Sequence, residues 1–295
     1  MHIIKDMREI SKVLGIHVTR PNNGFVRIDQ NHYIQQILME FGMENAKPAS
    51  TPMSSSIKLD DETSKVLSRE DHELYRRIIG KLMFAAVAVQ IDIAYTVNRL
   101  SQYLSEPHKV HLLAAKHVLR YLRGSPNLGI TYKSTPVGNL IGYADAAYAN
   151  ACQFKSTTDF CYMISRAPVS WTSKQQSITA QSTTESEYIA LREAGKQAVW
   201  LRHLLYALRK PQVYKEKATI IYGDNQGSID LSANPIFHSR TKHIHVRYHA
   251  IREYIENGEI RVIFIPTDRM LADGLTKGLD RVKFARMIEG LGLTN

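Results

Sequence analysis

Cysteine is scarce in this sequence, and several other features of well-known protein classes are missing as well. The 295 residues include two cysteines, Cys152 and Cys161, which give neither a disulfide framework nor a metal-ligand pattern. No apolar run reaches the roughly 18 residues of a membrane span, and the first ten residues carry charges where a signal peptide needs an apolar stretch. We therefore expect a protein of a reducing compartment, cytoplasmic or nuclear, without a secretion or membrane signal.

Acidic residues are also under-represented. Aspartate and glutamate together number 28 against 38 lysines and arginines, so the formal net charge is +10. Such a balance favours a polyanionic partner such as nucleic acid, although an acidic membrane surface or a ribosomal neighbour fits it nearly as well. The hydrophobic fraction of 44% is that of an ordinary globular protein, and the length allows two domains.

The first half of the chain predicts a hairpin followed by helices. In residues 1–53, two β-rich runs at 14–19 and 25–29 flank a turn, and an apolar stripe predicts a helix over 32–43. The stretch "KPASTPMSSSIKLDDETSK" is rich in proline, serine and charge without any period, which predicts a linker that we place at residues 54–67. Residues 68–130 carry three helical stripes and predict a mainly helical region.

After a break at 124–129 the pattern changes to short β-rich runs. They lie at 140–144, 160–164, 169–172, 219–222 and 259–265, with a long helix predicted over 184–208. This order predicts an α/β domain with a mixed sheet over residues 137–295.

Two of these strands are followed or closed by aspartate. Asp145 closes the first run and Asp224 follows the fourth, in "TIIYGDNQ". Each aspartate alone is more often a turn or cap residue. If the two strands are parallel neighbours, however, the two carboxylates meet at one edge of the sheet, where ligands of open α/β sheets bind.

The long helix supplies one more acid near its start. Glu187 continues the apolar stripe of the helix towards the sheet, whereas Glu185 forms a capping box with Ser182. A second capping box, Thr184 with Glu187, is the alternative for Glu187, so its assignment to the site is favoured without being settled.

A fourth acid occurs in "FIPTDRMLADGLTKGL". Asp273 lies about one turn into a short helix, and Asp268 is predicted to be the N-cap of that helix. Carboxylates from separate elements, without a cluster of Cys or His, are ligands for Mg²⁺ or Mn²⁺. Two such ions about 4 Å apart are a common arrangement for phosphodiester hydrolysis.

These residues lie in motifs that resemble the C-terminal part of copia-type retrotransposon Pol polyproteins. "YADAAYA", "SWTSKQQSITAQSTTESEYIAL", "GDNQGSI", "NPIFHSRTKHIHVRYHAIRE" and "LADGLTKGL" are similar, in order, to the ribonuclease H domain of that family. The resemblance implies a ribonuclease H-like mixed five-stranded sheet flanked by helices, which hydrolyses the RNA strand of RNA–DNA hybrids. It also implies that Asp145, Glu187, Asp224 and Asp273 are the catalytic, metal-binding carboxylates.

Upstream motifs resemble other parts of the same polyprotein. "LGIHVTRPNNGFVRIDQNHYIQQILMEFGM" and "HLLAAKHVLRYLRGSPNLGITY" are similar to the reverse transcriptase tail and the connection segment. The rest of a Pol polyprotein is then an expected partner. The polymerase motif Tyr-x-Asp-Asp does not occur, and "LDDE" at 59–62 is interpreted as an exposed acidic loop of the linker. We expect no polymerase activity.

The sequence departs from the family at several positions. Ala147 and Asp159 stand where the family usually has Asp and Gly, and His245 replaces a usual acid. None of these changes removes a proposed ligand. The alternative function is a catalytically dead or domesticated remnant that binds nucleic acid.

Basic residues near these motifs are candidates for phosphate contact. Arg240, Lys242 and Arg247 lie in one basic strip, and Lys174 lies in "SWTSKQQ". A merely solvated basic helix face is an equally good interpretation of the strip. We expect Trp200, on the long helix, to be a core residue.

Overall fold

The first sheet of the protein has five antiparallel strands. In the computed structural model, residues 9–21, 24–54, 57–61, 63–133, 139–151, 154–208, 218–233 and 250–295 are described. The strands of this sheet are β1 (Lys12–Val13), β2 (Ile16–Thr19), β3 (Phe25–Asp29), β4 (Gly129–Lys133) and β10 (Leu293–Thr294), in the order β1-β2-β3-β4-β10. The predicted hairpin is confirmed as β2 and β3, but it is part of a larger sheet that the sequence did not predict.

In the described residues, four helices of the first half of the chain share one apolar core with this sheet. They are α1 (Asn31–Glu40), α2 (Arg69–Ala88), α3 (Ala94–Ser101) and α4 (Lys109–Gly124). Ser68 caps α2, because its side chain accepts a hydrogen bond from the Asp71 N–H, and each helix buries an apolar stripe. The prediction of a helix before residue 54 and a mainly helical region after residue 68 is confirmed.

The second sheet is mixed, as predicted. Its strands are β5 (Ile141–Ala147), β6 (Thr157–Ile164), β7 (Ala167–Gln175), β8 (Thr219–Gly223) and β9 (Ile260–Phe264), in the order β7-β6-β5-β8-β9. β5–β6 and β6–β7 pair antiparallel, whereas β5–β8 and β8–β9 pair parallel. All five predicted runs therefore lie in one α/β sheet.

One face of this sheet is covered by α5 (Thr183–Ala207), with α6 (Gln226–Ala233) and α7 (Ala250–Glu256) beside it. The small residues Ala190, Ala194 and Ala198 of α5 are fully buried, which lets the helix lie close to the strands. The Tyr162 hydroxyl donates to the Ala194 carbonyl oxygen over 2.6 Å, and Gly142 has no side chain to displace that ring. This contact ties α5 to the centre of the sheet.

The other face packs against the first half of the chain. Cys161 and Met163 of β6 share one apolar core with residues of α2, α3 and α4, and the Trp171 Nε1–H donates to the Ala86 carbonyl oxygen over 2.8 Å. Two short helices, α8 (Asp273–Thr276) and α9 (Arg281–Gly290), join the same core before β10 returns to the first sheet. The division into segments 1–53, 54–67, 68–130 and 137–295 stays a prediction, because the two sheets share this core.

The segment predicted to be a linker has neither helix nor strand in its described residues, apart from a single β-bridge between Val66 and His108. It is nevertheless attached to the fold. Leu59 is buried in the core, and Asp60 pairs with the buried guanidinium of Arg99 over 3.3 Å. The interpretation of 59–62 as an exposed loop is therefore wrong for Leu59.

Within the described part of the chain, no helix has both the length and the apolar character to cross a bilayer.

Candidate metal centre

Asp145 lies inside β5, not at its end. The strand continues to Ala147, and Asp145 pairs with Asp159 across β6, so the expected position at the strand end is wrong by two residues. The side chain is buried, with the Ala146 N–H donating to Oδ1 over 2.9 Å and the Thr276 hydroxyl 3.1 Å from Oδ2. These contacts fix the orientation of the carboxylate.

Asp224 follows directly after β8. Since β5 and β8 are parallel neighbours, the carboxylates of Asp224 and Asp145 lie at the same edge of the sheet, as the sequence pattern predicted. The Thr267 hydroxyl donates to Asp224 Oδ2 over 2.7 Å, and the Ile265 N–H donates to the Gly223 carbonyl oxygen over 2.9 Å. The turn after β9 therefore holds this carboxylate in place.

The two glutamates of α5 have different roles. The Ser182 hydroxyl accepts from the Glu185 N–H over 3.1 Å, and Glu185 Oε2 accepts from the Gln181 N–H over 2.7 Å. Glu185 thus stabilises the start of α5, as predicted. Glu187 is buried on the side of the helix that faces the two aspartates.

Asp145, Glu187 and Asp224 form one cluster. Each offers a carboxylate oxygen, and these three oxygens lie within 4.8 Å of one another. Burial, followed by the negative charges of Asp224 and Asp273, raises the pKa of Asp145 to about 6. Burial, followed by the charges of Asp145 and Asp224, raises the pKa of Glu187 to about 10. The cluster is therefore an unfavourable place for negative charge unless a cation binds to it.

The fourth predicted acid lies beside the cluster. Asp273 begins α8, and its carboxylate is paired with the ammonium group of Lys277. It is not one of the three residues whose oxygens meet, although its charge contributes to the raised pKa of Asp145. Asp268 lies in a separate 3₁₀ turn and Ala272 precedes α8, so the prediction that Asp268 caps this helix is wrong.

One acid near the site was not identified as functional from the sequence. Asp159 is fully buried opposite Asp145, and neither of its carboxylate oxygens has a hydrogen-bond partner among the described residues. The nearby Ser173 hydroxyl donates to the Leu275 carbonyl oxygen instead. Burial, with the charges of Asp145 and Glu187, raises the pKa of Asp159 well above its ordinary value. The sequence contained one signal for this position: Asp159 stands where the family that the chain resembles usually has glycine.

The residues predicted to contact phosphate are only partly described. Arg240, Lys242 and Arg247 lie outside the described residues. Lys174 is exposed on β7, where it lines a groove of about 330 Å³ together with Lys196 of α5.

Comparison with known proteins relates nearly the whole chain to retrotransposon proteins. No family model matches it. The chain is 38% identical to the retrovirus-related Pol polyprotein from transposon TNT 1-94 of Nicotiana tabacum, over 98% of this chain and 22% of the polyprotein. It is also 38% identical to that from transposon RE1 of Arabidopsis thaliana, over 99% of this chain and 19% of the polyprotein.

A shorter protein matches the same sequence. An uncharacterized mitochondrial protein of Arabidopsis thaliana is 31% identical over 67% of this chain and 80% of its own length. The chain spans about a fifth of the length of the curated Pol polyproteins it matches. It belongs to the family of homologues that includes the Pol polyproteins of copia-type retrotransposons.

Proposed function

We propose that this chain is a ribonuclease H-like enzyme that hydrolyses the RNA strand of RNA–DNA hybrids with a divalent cation. The observation that carries the proposal is the meeting of three carboxylates from β5, α5 and the end of β8, with their oxygens within 4.8 Å. The strand order β7-β6-β5-β8-β9, with α5 across one face, supports the fold assignment. Relatives that are Pol polyproteins support an origin in a retroelement.

The three carboxylates fit Mg²⁺ or Mn²⁺. Both are hard cations that prefer oxygen ligands, and no soft ligand lies in the group of Asp145, Glu187 and Asp224. A bound divalent cation would supply charge neutralisation at the phosphodiester and a lower pKa for the attacking water. Asp273 would join this ligand set only after it separates from Lys277.

The other side chains position these ligands. The Ala146 N–H and the Thr276 hydroxyl orient Asp145, and the Thr267 hydroxyl orients Asp224. Glu185 fixes the first turn of α5, which in turn sets where Glu187 lies. Such preorganisation keeps the ligand oxygens in place without a further conformational cost.

The proposal is tested by strand-resolved cleavage of an RNA–DNA hybrid. We expect the wild type to cut only the RNA strand, and only with Mg²⁺ or Mn²⁺ present. Asp145→Asn should lower the cleavage rate about a hundredfold or more. The substitution removes a negative charge from the proposed metal ligands, and stabilisation of the transition state by the metal ion is worth on the order of several kcal/mol. Asp71→Asn, at the exposed start of α2, is the matched control and should retain the rate.

The alternative predicts a different pattern. If the protein is a remnant that only binds nucleic acid, wild type and Asp145→Asn will bind the hybrid equally and neither will cleave it. Equal cleavage by both proteins would refute the role of the cluster.

A further inference from the structure

A basic pocket lies next to the acid cluster. It has a volume of about 360 Å³ and lies between the turn after β9, α8 and the exposed side of α9. Four cationic side chains line it: Arg269, Lys277, Lys283 and Arg286. Two acids, Asp268 and Asp273, line the same pocket, and Asp273 also acts on the acid cluster through its charge.

The close approach of α9 to α8 builds this pocket. Met287 of α9 is buried against Gly274 of α8, and a methyl group on Gly274 would overlap the Met287 sulfur. Lys283 and Arg286 lie within one helical turn before Met287, so the same packing places their side chains at the pocket. The cationic wall thus depends on a defined helix contact, in contrast to an arbitrary group of surface charges.

Lys277 connects the pocket electrically to the acid cluster. Partial burial opposes its positive charge, but the hydrogen bond with Asp273 and the charges of Asp273, Asp145 and Asp224 outweigh that effect and raise the pKa of Lys277. Its ammonium group is therefore within electrostatic reach of two residues of the cluster. The contact between the two sites is direct, because Thr267 lines the pocket and its hydroxyl donates to Asp224 Oδ2 over 2.7 Å, so a group bound in the pocket would lie close to a substrate atom bound at the cluster.

The remaining cations are available to a ligand. Arg269, Lys283 and Arg286 are exposed, and none of the three forms an ion pair with any other described residue. The floor between them is apolar, with the buried side chains of Met270 and Met287. Exposed cations around a small concave surface are suited to contact phosphate oxygens.

We propose that this pocket binds a backbone phosphate of the nucleic-acid strand whose neighbouring phosphodiester lies at the acid cluster. That the strand belongs to an RNA–DNA hybrid rests on the proposed function, whereas the assignment to a phosphate group rests on the residues that line the pocket. A nucleic-acid strand carries a phosphate about every 3.4 Å along the helix axis, so one strand can occupy both sites at once. The pocket would then hold the strand in register with the carboxylates.

The test is salt-dependent binding of an RNA–DNA hybrid, measured in EDTA so that no cleavage occurs. Lys283→Ala combined with Arg286→Ala removes two exposed pocket cations that form no ion pair with any other described residue, although their charges act on Asp280 at the start of α9. The slope of log Kobs against log salt should become shallower by about one for each phosphate that the variant no longer neutralises, hence by about one to two units. The matched control is Lys65→Ala combined with Lys109→Ala, two exposed cations that do not line the pocket.

We expect the control to keep the wild-type slope. A wild-type slope in the pocket variant, or an equal loss in the control, would overturn the proposal. Polyglutamate binding that weakens in the pocket variant as much as hybrid binding would overturn the assignment to phosphate. A DNA duplex and each single strand of the same sequence, titrated in parallel, identify which strand supplies the phosphate.

Cleavage is assayed separately with Mg²⁺, which keeps the two proposals apart. If the wild type does not cleave but the pocket variant loses salt dependence, the pocket assignment holds and the enzymatic proposal fails. If the wild type cleaves and the pocket variant binds with an unchanged slope, only the pocket assignment fails.

Discussion

Asp159→Asn tests whether the carboxyl behind the acid cluster destabilises the fold. Asp159 is fully buried, its oxygens have no partner among the described residues, and burial raises its pKa well above the ordinary value of 3.8. A carboxyl with a raised folded-state pKa contributes its full stability below the unfolded-state pKa and loses it as the pH rises. The asparagine side chain of the variant does not ionise, so the variant does not lose this part of the free energy of unfolding as the pH rises.

The size of the effect follows from proton linkage. At pH 3 the carboxyl of Asp159 is protonated in both the folded and the unfolded wild type. The free energies of unfolding of the two proteins should then differ by a constant amount, which reflects the replacement of a carboxyl group by an amide. Above about pH 4 the unfolded carboxyl ionises while the folded one stays protonated. The variant should then gain stability over the wild type by up to about 1.4 kcal/mol for each pH unit, until the folded carboxyl ionises as well.

The assay is urea unfolding of both proteins in EDTA from pH 3 to pH 7. Asp268→Asn, which removes an exposed carboxylate, is the control for the loss of one acid. A difference between Asp159→Asn and wild type that stays constant over this range would refute the description of Asp159 as a buried, partnerless acid.

Three more predictions follow from the same contacts. Mg²⁺ binding should tighten from pH 5 to pH 7 and release protons, because the cation replaces protons on Asp145 and Glu187, whose pKa values are raised to about 6 and about 10. Calorimetry in two buffers measures the proton release, and an Mg²⁺ affinity that does not change with pH would contradict the prediction. Tyr121→Phe should lower the free energy of unfolding by about 1–3 kcal/mol, because buried Asp92 loses the 2.6 Å hydrogen bond that the Tyr121 hydroxyl donates to it. A change near zero in urea unfolding would show that this hydrogen bond does not stabilise the fold. A fragment of residues 137–295 should aggregate, because the sheet face that bears Cys161 would no longer be covered by the helices of the first half of the chain. A fragment that is monomeric in sedimentation and unfolds cooperatively in urea would show that the segment folds independently.

Local patterns were sufficient to predict the second sheet. The period of α5 and the box formed by Ser182 and Glu185 are encoded within a few residues, and the structure has both. The separation of Glu187 from Glu185 followed from the same helical period. In contrast, the residue at which a strand ends depends on its neighbours, and Asp145 therefore lies two residues further inside β5 than predicted.

Contacts between distant parts of the chain could not be predicted in this way. β10 has two residues and pairs with β4, more than 150 positions earlier, so no local pattern reveals it. Trp200 was predicted to be a core residue, but it is 55% exposed on the outer side of α5. Apolar character alone does not reveal which side of a long helix remains uncovered. The pairing of Asp159 with Asp145 likewise depends on strand register.

The two glutamates of α5 give the most direct measurement of the central claim, that the acid cluster performs metal-dependent hydrolysis. RNA-strand cleavage of a hybrid in Mg²⁺ is compared for wild type, Glu187→Gln and Glu185→Gln, which carry the same change two residues apart on one buried helix start. We predict that Glu187→Gln loses about a hundredfold or more in rate, while Glu185→Gln keeps the rate and loses about 1 kcal/mol of stability. Full activity in Glu187→Gln, or loss of activity in Glu185→Gln with its fold intact, would contradict the claim.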